Sequence, residues 1–105
     1  MGELPGFRSV GMAIATDLNP GSSPICSLLL IMNMACVQFA LTPEETLGGV
    51  TRHAARALGL GRSKGMIRAG MDADLVLWNI DHPSELSYAV NMSIPAQVWV
   101  AGQHV

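Results

Sequence analysis

A run of apolar residues closed by an acid and a turn constrains this chain most. Val10-Gly-Met-Ala-Ile-Ala-Thr16 is nearly continuous in apolar character, and Asp17-Leu-Asn-Pro-Gly-Ser-Ser-Pro24 follows it directly. A run of that kind suits a strand buried on both faces, as in a parallel sheet covered by helices. The segment behind it is turn chemistry, since Asn19-Pro20 and Pro20-Gly21 both interrupt regular structure. Ser23 and Pro24 then read as the N-cap and first residue of a helix. Strand, loop and helix in that order predict an α/β fold.

The helix behind Pro24 is expected to run to about Phe39, and its apolar character nearly all round predicts burial on several sides. The apolar stretch of residues 25–37 is interrupted by Ser27 and Asn33 and falls short of the ~20 residues a bilayer needs, so no membrane partner is expected. Thr42-Pro43-Glu44-Glu45 marks a second helix start, with Thr42 as cap and Glu45 three residues on, as a capping box requires. Leu47, Val50, Ala54 and Leu58 follow at helical spacing, and Gly59 stands where a left-handed C-cap belongs, so this helix is expected over Pro43–Leu58.

The character changes after Gly61. Arg62-Ser-Lys-Gly65 reads as a turn and Met66-Ile67 as a short strand. Asp74–Ile80 reads as a strand, Pro83–Ala89 as a short helix and Ala96–Val100 as another strand. A tight turn at Ala101-Gly102 leads to a returning strand at His104-Val105. So few strands make no stable unit alone and call for a partner sheet. Two regions result, residues 1–61 and residues 62–105.

Composition narrows the function. The 105 residues carry six Lys plus Arg, eight Asp plus Glu and five aromatics, with a formal net charge of −2. That scattered charge excludes a nucleic-acid-binding stripe and gives no reason for an anionic membrane partner. Half the residues are hydrophobic. Such a chain either buries most of that surface or, if it is part of a larger fold, exposes an adhesive face. Cys26 and Cys36 lack Cys-x-x-Cys spacing and read as buried free thiols, a usage that fits the cytoplasm. Residues 1–9 show no apolar stretch behind a basic run, so no signal peptide is expected.

The candidate chemistry sits at Asp17. In α/β barrels, functional side chains occupy the C-terminal ends of the strands. A carboxylate there can bind a metal or accept a proton, although a lone Asp is a weak signal of a metal and is more often a loop or cap residue. Asn19, Gly21 and Ser22 share the loop. Backbone N–H groups at a helix start favour an anion, and Gly21 admits close approach, yet these too are common turn residues. His53, His82 and His104 form no His-x-His or His-Glu-x-x-His pattern and are assigned to no metal.

Four stretches resemble the imidazolonepropionases, a branch of the amidohydrolase superfamily. They are Ala13-Ile-Ala-Thr-Asp-Leu-Asn-Pro-Gly-Ser-Ser-Pro24, Met32-Asn-Met-Ala-Cys36, Leu41-Thr-Pro-Glu-Glu45 with Thr51-Arg-His-Ala-Ala-Arg-Ala-Leu-Gly-Leu60, and Asp81-His-Pro-Ser-Glu-Leu-Ser-Tyr88. The resemblance runs from about Phe7 to Val105. It implies the C-terminal part of a TIM-barrel hydrolase: residues 1–61 as the last barrel strand and following helices, and residues 62–105 as part of a small β-sandwich. The implied reaction is hydrolysis of 4-imidazolone-5-propanoate to N-formimidoyl-L-glutamate in histidine degradation. Asp17 would be the carboxylate ligand of one zinc or iron ion and would take a proton from the attacking water. Asn19 and Gly21 would contact the substrate chain, and Ser22 its propanoate end.

The family's His-x-His, its later metal histidine and its substrate-gripping arginine and tyrosine have no counterpart here. A barrel of this kind needs roughly 200 residues or more, and a catalytic zinc usually takes about three protein ligands. The chain alone is therefore expected to bind metal weakly and turn over no substrate. Its expected partners are the small-molecule substrate and either further copies of itself or the missing N-terminal portion of the same enzyme. A non-catalytic interaction module derived from an amidohydrolase is the alternative.

Overall fold

The computed structural model describes residues 11–90 and 94–105. Four helices and three strands occur in the order α1 (Leu28–Phe39), α2 (Pro43–Val50), α3 (Arg52–Ala57), β1 (Leu75–Trp78), α4 (Glu85–Tyr88), β2 (Pro95–Val100) and β3 (Gln103–His104).

Helix α1 starts four residues later than Ser23-Pro24 predicts. Ser27 is its cap, accepting from the Leu30 N–H at 3.2 Å. Ser23 is engaged elsewhere, in the loop before it. The helix ends at Phe39 as expected. Ala40 turns left-handed at φ 57, and the Leu41 N–H returns to the Ala35 carbonyl at 3.2 Å, burying Leu41.

The capping box forms as read. Thr42 Oγ1 accepts from the Glu45 N–H at 3.1 Å, and Glu45 Oε1 accepts from the Thr42 N–H at 2.8 Å. The expected single helix over 43–58, however, breaks at Thr51 (φ −118, ψ −95) into α2 and α3. The break lies beside a tertiary contact. The Gly49 carbonyl accepts from the Ile14 N–H at 2.9 Å, and a Cβ on Gly49 would stand 2.5 Å from Ile14 Cδ1 and 3.1 Å from the Met12 carbonyl oxygen. Two adjacent glycines, Gly48 and Gly49, have poor helix propensity and let that segment approach. Gly59 is left-handed (φ 76), as expected.

Helices α1, α2 and α4 pack on one another around Met32, Ala35, Leu41 and Leu86. Thr46 is fully buried among them, and its hydroxyl is satisfied by the Pro43 carbonyl at 2.8 Å. Asn33 Nδ2 reaches the Ser87 carbonyl at 3.0 Å, so α4, from beyond residue 62, is pinned to α1. Burial of α1 is one-sided: Val37 is 75% and Phe39 62% exposed, against the expectation of burial on several sides.

The strands form one antiparallel sheet in the order β1-β2-β3, with Leu75 opposite Trp99 and Val76 opposite Val98. Ala101 (φ 52) and Gly102 (φ 79) close the β2–β3 hairpin as a two-residue turn with both φ positive, the form that matches strand twist. Asp74 ties this turn down, accepting from the Ala101 N–H at 2.9 Å while Lys64 Nζ donates to its other oxygen at 2.6 Å. Met66 and Ile67 form no strand among the described residues, and Ile67 is 92% exposed. Val76 and Leu77 are also exposed.

The expected strand over 10–16 is corrected as well. Val10 lies outside the described residues, and residues 11–16 belong to no ladder. Gly11, Met12, Ala13 and Ala15 are exposed. A parallel strand is defined by its neighbours, and no described segment lies alongside this one to pair with it.

Candidate functional site

The loop after this extended segment is a closed hydrogen-bonded unit. Asn19 Oδ1 accepts from the Gly21 N–H at 2.9 Å, the Ser22 N–H at 2.7 Å and the Ser22 hydroxyl at 3.3 Å. Asn19 Nδ2 donates back to the Asp17 carbonyl at 2.7 Å. The Asn19 N–H donates to the Ser23 carbonyl at 2.9 Å, and the Ser23 hydroxyl donates to the Thr16 carbonyl at 2.8 Å. The amide of Asn19 mimics a backbone turn, which is why Asn-Pro-Gly can reverse the chain so tightly.

Four residues singled out from the sequence, Asp17, Asn19, Gly21 and Ser22, are thereby brought together. Their chemistry differs. The Asn19 side chain is consumed by its own loop. The N–H groups of Gly21 and Ser22 point at that amide, and the helix starts only at Leu28, so an anion site built on helix N–H groups at this position does not form. Gly21 is exposed, and only Asn19 Oδ1, at 3.3 Å, would meet a Cβ there. Asp17 is exposed and has no hydrogen-bond or ionic partner for its carboxylate among the described residues. The ordinary role of a loop aspartate, capping its own turn, is filled by Asn19 instead.

Asp17 also has a positive φ of 51. For a residue with a Cβ that conformation costs about 1–2 kcal/mol, least for Asn and Asp. The bonds from Asn19 and Ser23 on either side of it hold it there.

Among the described residues, the histidines and cysteines gather no second site. His53 lies against the Gly11 backbone, so close that a Cβ on Gly11 would stand 2.5 Å from its Nδ1. Desolvation, then the adjacent Arg52 and Arg56 charges, pull its pKa below the usual histidine value. His82 Nδ1 accepts from the Ser84 N–H at 3.1 Å within its turn, and His104 packs edge-on to Trp99 with centroids 5.5 Å apart. Cys36 is half-buried, its Sγ 4.0 Å from Thr46 Oγ1, but Cys26 is exposed, against the expectation of burial. It sits in the non-helical segment created by the late start of α1. The described residues hold no group of three or more His, Cys, Asp or Glu able to bind a metal. None of their helices is long and apolar enough to cross a membrane.

What the sequence reading missed is the role of Ser23, which ties the loop to Thr16 instead of capping a helix. Serine six residues after an acid carries no local signature of that bond.

Comparison with known proteins bears on the same residues. The chain is 60% identical over 94 residues to an imidazolonepropionase of Pseudoalteromonas atlantica, covering 90% of this chain and 23% of the relative. It is 55% identical over 103 residues to the imidazolonepropionase of Vibrio parahaemolyticus, covering 98% and 25% respectively. The chain thus spans about a quarter of the length of these curated relatives. A crystal structure of an amidohydrolase from Thermotoga maritima superposes with a TM-score of 0.60 at 29% identity, covering 74% of this chain and 18% of that one. The sequence model of the amidohydrolase family matches residues 4–105, and the chain belongs to that family.

Proposed function

We propose that this chain is the C-terminal part of a cytoplasmic imidazolonepropionase. The reaction is hydrolytic opening of 4-imidazolone-5-propanoate: water adds to the ring amide carbonyl, the ring C–N bond breaks, and N-formimidoyl-L-glutamate results. Residues 1–61 would close the barrel and residues 62–105 would join a small β-sandwich.

The observation that carries the reading is the contrast within residues 17–23. The side chains of Asn19, Ser22 and Ser23 bond within the loop, while the Asp17 carboxylate has no partner among the described residues. A free carboxylate within reach of a substrate can take the proton released by the attacking water. The Ser22 hydroxyl and the open backbone at Gly21 would meet the propanoate chain, with Asn19 beside them.

The family resemblance implies zinc or iron, with Asp17 as one donor. The described residues do not fit such an ion by themselves, since Asp17 has no second donor near it. The remaining donors, and the cover for the exposed apolar residues Met12, Leu18, Leu28, Val37 and Phe39, would come from the rest of an enzyme of the relatives' length.

The test is a fusion in which this chain replaces the equivalent quarter of the Pseudoalteromonas atlantica imidazolonepropionase. Turnover of imidazolonepropanoate is expected, and its abolition by Asp17→Asn. A folded fusion without turnover, or an Asp17→Asn variant as active as its parent, would overturn the reading.

A further inference from the structure

The geometry points to Ser23 as a positioning residue that aims the Asp17 side chain, an inference that rests on the role proposed for Asp17. The direction of a Cα–Cβ bond is set by the two peptide planes that flank it. The plane before Asp17 carries the Thr16 carbonyl, which accepts from the Ser23 hydroxyl at 2.8 Å. The plane after it carries the Asp17 carbonyl, which accepts from Asn19 Nδ2 at 2.7 Å. Ser23 and Asn19 therefore each hold one of the two planes, and together they keep Asp17 at its left-handed φ of 51.

Ser23 closes the loop from its far end. Its own carbonyl accepts from the Asn19 N–H at 2.9 Å, so it grips the chain on both sides of Asp17. Without its hydroxyl, the Thr16–Asp17 peptide loses the one bond that crosses from the far end of the loop. Among the described residues, the extended segment before it has one backbone hydrogen bond to the helices, from Ile14 to Gly49. Asp17 then relaxes toward a commoner backbone region, and its carboxylate swings away from the loop mouth. Ser23 touches no reacting atom in this arrangement and acts only through Asp17. Loss of its hydroxyl is expected to reduce the rate of the chemical step and leave substrate binding almost intact.

The experiment uses the same fusion with four variants. Ser23→Ala is expected to lower kcat by about tenfold, the scale of one hydrogen bond, with KM within about twofold of the parent. Ser23→Thr keeps the hydroxyl and is expected to restore kcat to within about twofold. A crystal structure of the Ser23→Ala fusion is expected to show Asp17 at negative φ, a readout independent of turnover. If Ser23→Ala does not fold, Ser23→Cys serves in its place, with an expected fall in kcat from its weaker donor. Ser23→Ala or Ser23→Cys with the parent's kcat, or Asp17 still left-handed in the crystal, overturns the positioning role. The Asp17→Asn fusion separates the two ideas: unchanged activity there defeats the reading of Asp17, whereas its inactivity beside a fully active Ser23→Ala defeats only the role of Ser23.

Discussion

The helical layer and the extended segment before it differ in how completely each satisfies itself. Helices α1, α2 and α4 share a core, and none of their buried side-chain polar atoms lacks a hydrogen-bond partner among the described residues. Residues 11–18 lie across that layer with one backbone bond to it, from Ile14 to Gly49, and most of their side chains in solvent. A helix closes its hydrogen bonds within its own sequence, whereas a strand requires a neighbour. The candidate chemistry sits at the end of the segment that is incomplete. In this chain, a member of the amidohydrolase family, the carboxylate proposed to act is thus carried by the segment with the fewest contacts to the described residues, while the helices beside it stand on local interactions.

Substitutions can break or sharpen that comparison. The largest effect is expected for Met32→Ala, which opens a hole among α1, α2 and α4 and should cost about 2–5 kcal/mol in urea unfolding. A cost under 1 kcal/mol, by the same scale, would mean the helical layer is not a self-contained core. Gly49→Ala comes next. Its Cβ would collide with Ile14 Cδ1 and approach the Met12 backbone, and overpacking of that kind costs about 1–3 kcal/mol, offset in part by better helix propensity. The loss is expected to come with displacement of residues 11–16, visible as faster amide exchange at Ile14. A stabilised Gly49→Ala would show that the extended segment does not rest on this helix.

Thr42→Ala removes the capping box and should cost about 1 kcal/mol, without altering exchange at Ile14, which separates the local contribution from the tertiary one. The smallest expected effect is the pH dependence from His53. Its folded pKa is lowered below the unfolded value of about 6.5, so the unfolded chain binds the proton more readily. Stability is therefore full above that unfolded value and falls as pH drops through it toward the folded pKa. His53→Gln should flatten the slope of unfolding midpoint against pH between about 7 and 5. An unchanged slope would remove His53 from the contact that seats Gly11.

Features confined to a few consecutive residues were legible. The Thr42–Glu45 box, the left-handed Gly59, a strand inside the expected 74–80 (observed over Leu75–Trp78) and the Ala101-Gly102 turn all follow from residue types at fixed short spacing. The site was legible as a set of residues but not as a geometry. Asp17 stood out because an acid closes an apolar run, yet whether it or Asn19 would hold the loop depended on which side chain reached the Gly21 and Ser22 N–H groups. Cys26 was misread as buried because the helix was expected to begin before it.

What the sequence determined alone, then, lies among contacts within about four residues: the Thr42 cap with its box, the Ala101-Gly102 turn and the identity of the loop that carries the acid. Tertiary structure decided the start of α1, the break at Thr51 and the left-handed Asp17. Each depends on one group choosing between a local partner and a distant one. The Ser23 hydroxyl went to Thr16 and the Gly49 carbonyl took on Ile14 because the chain's path brought those partners within hydrogen-bond distance, which no local pattern encodes.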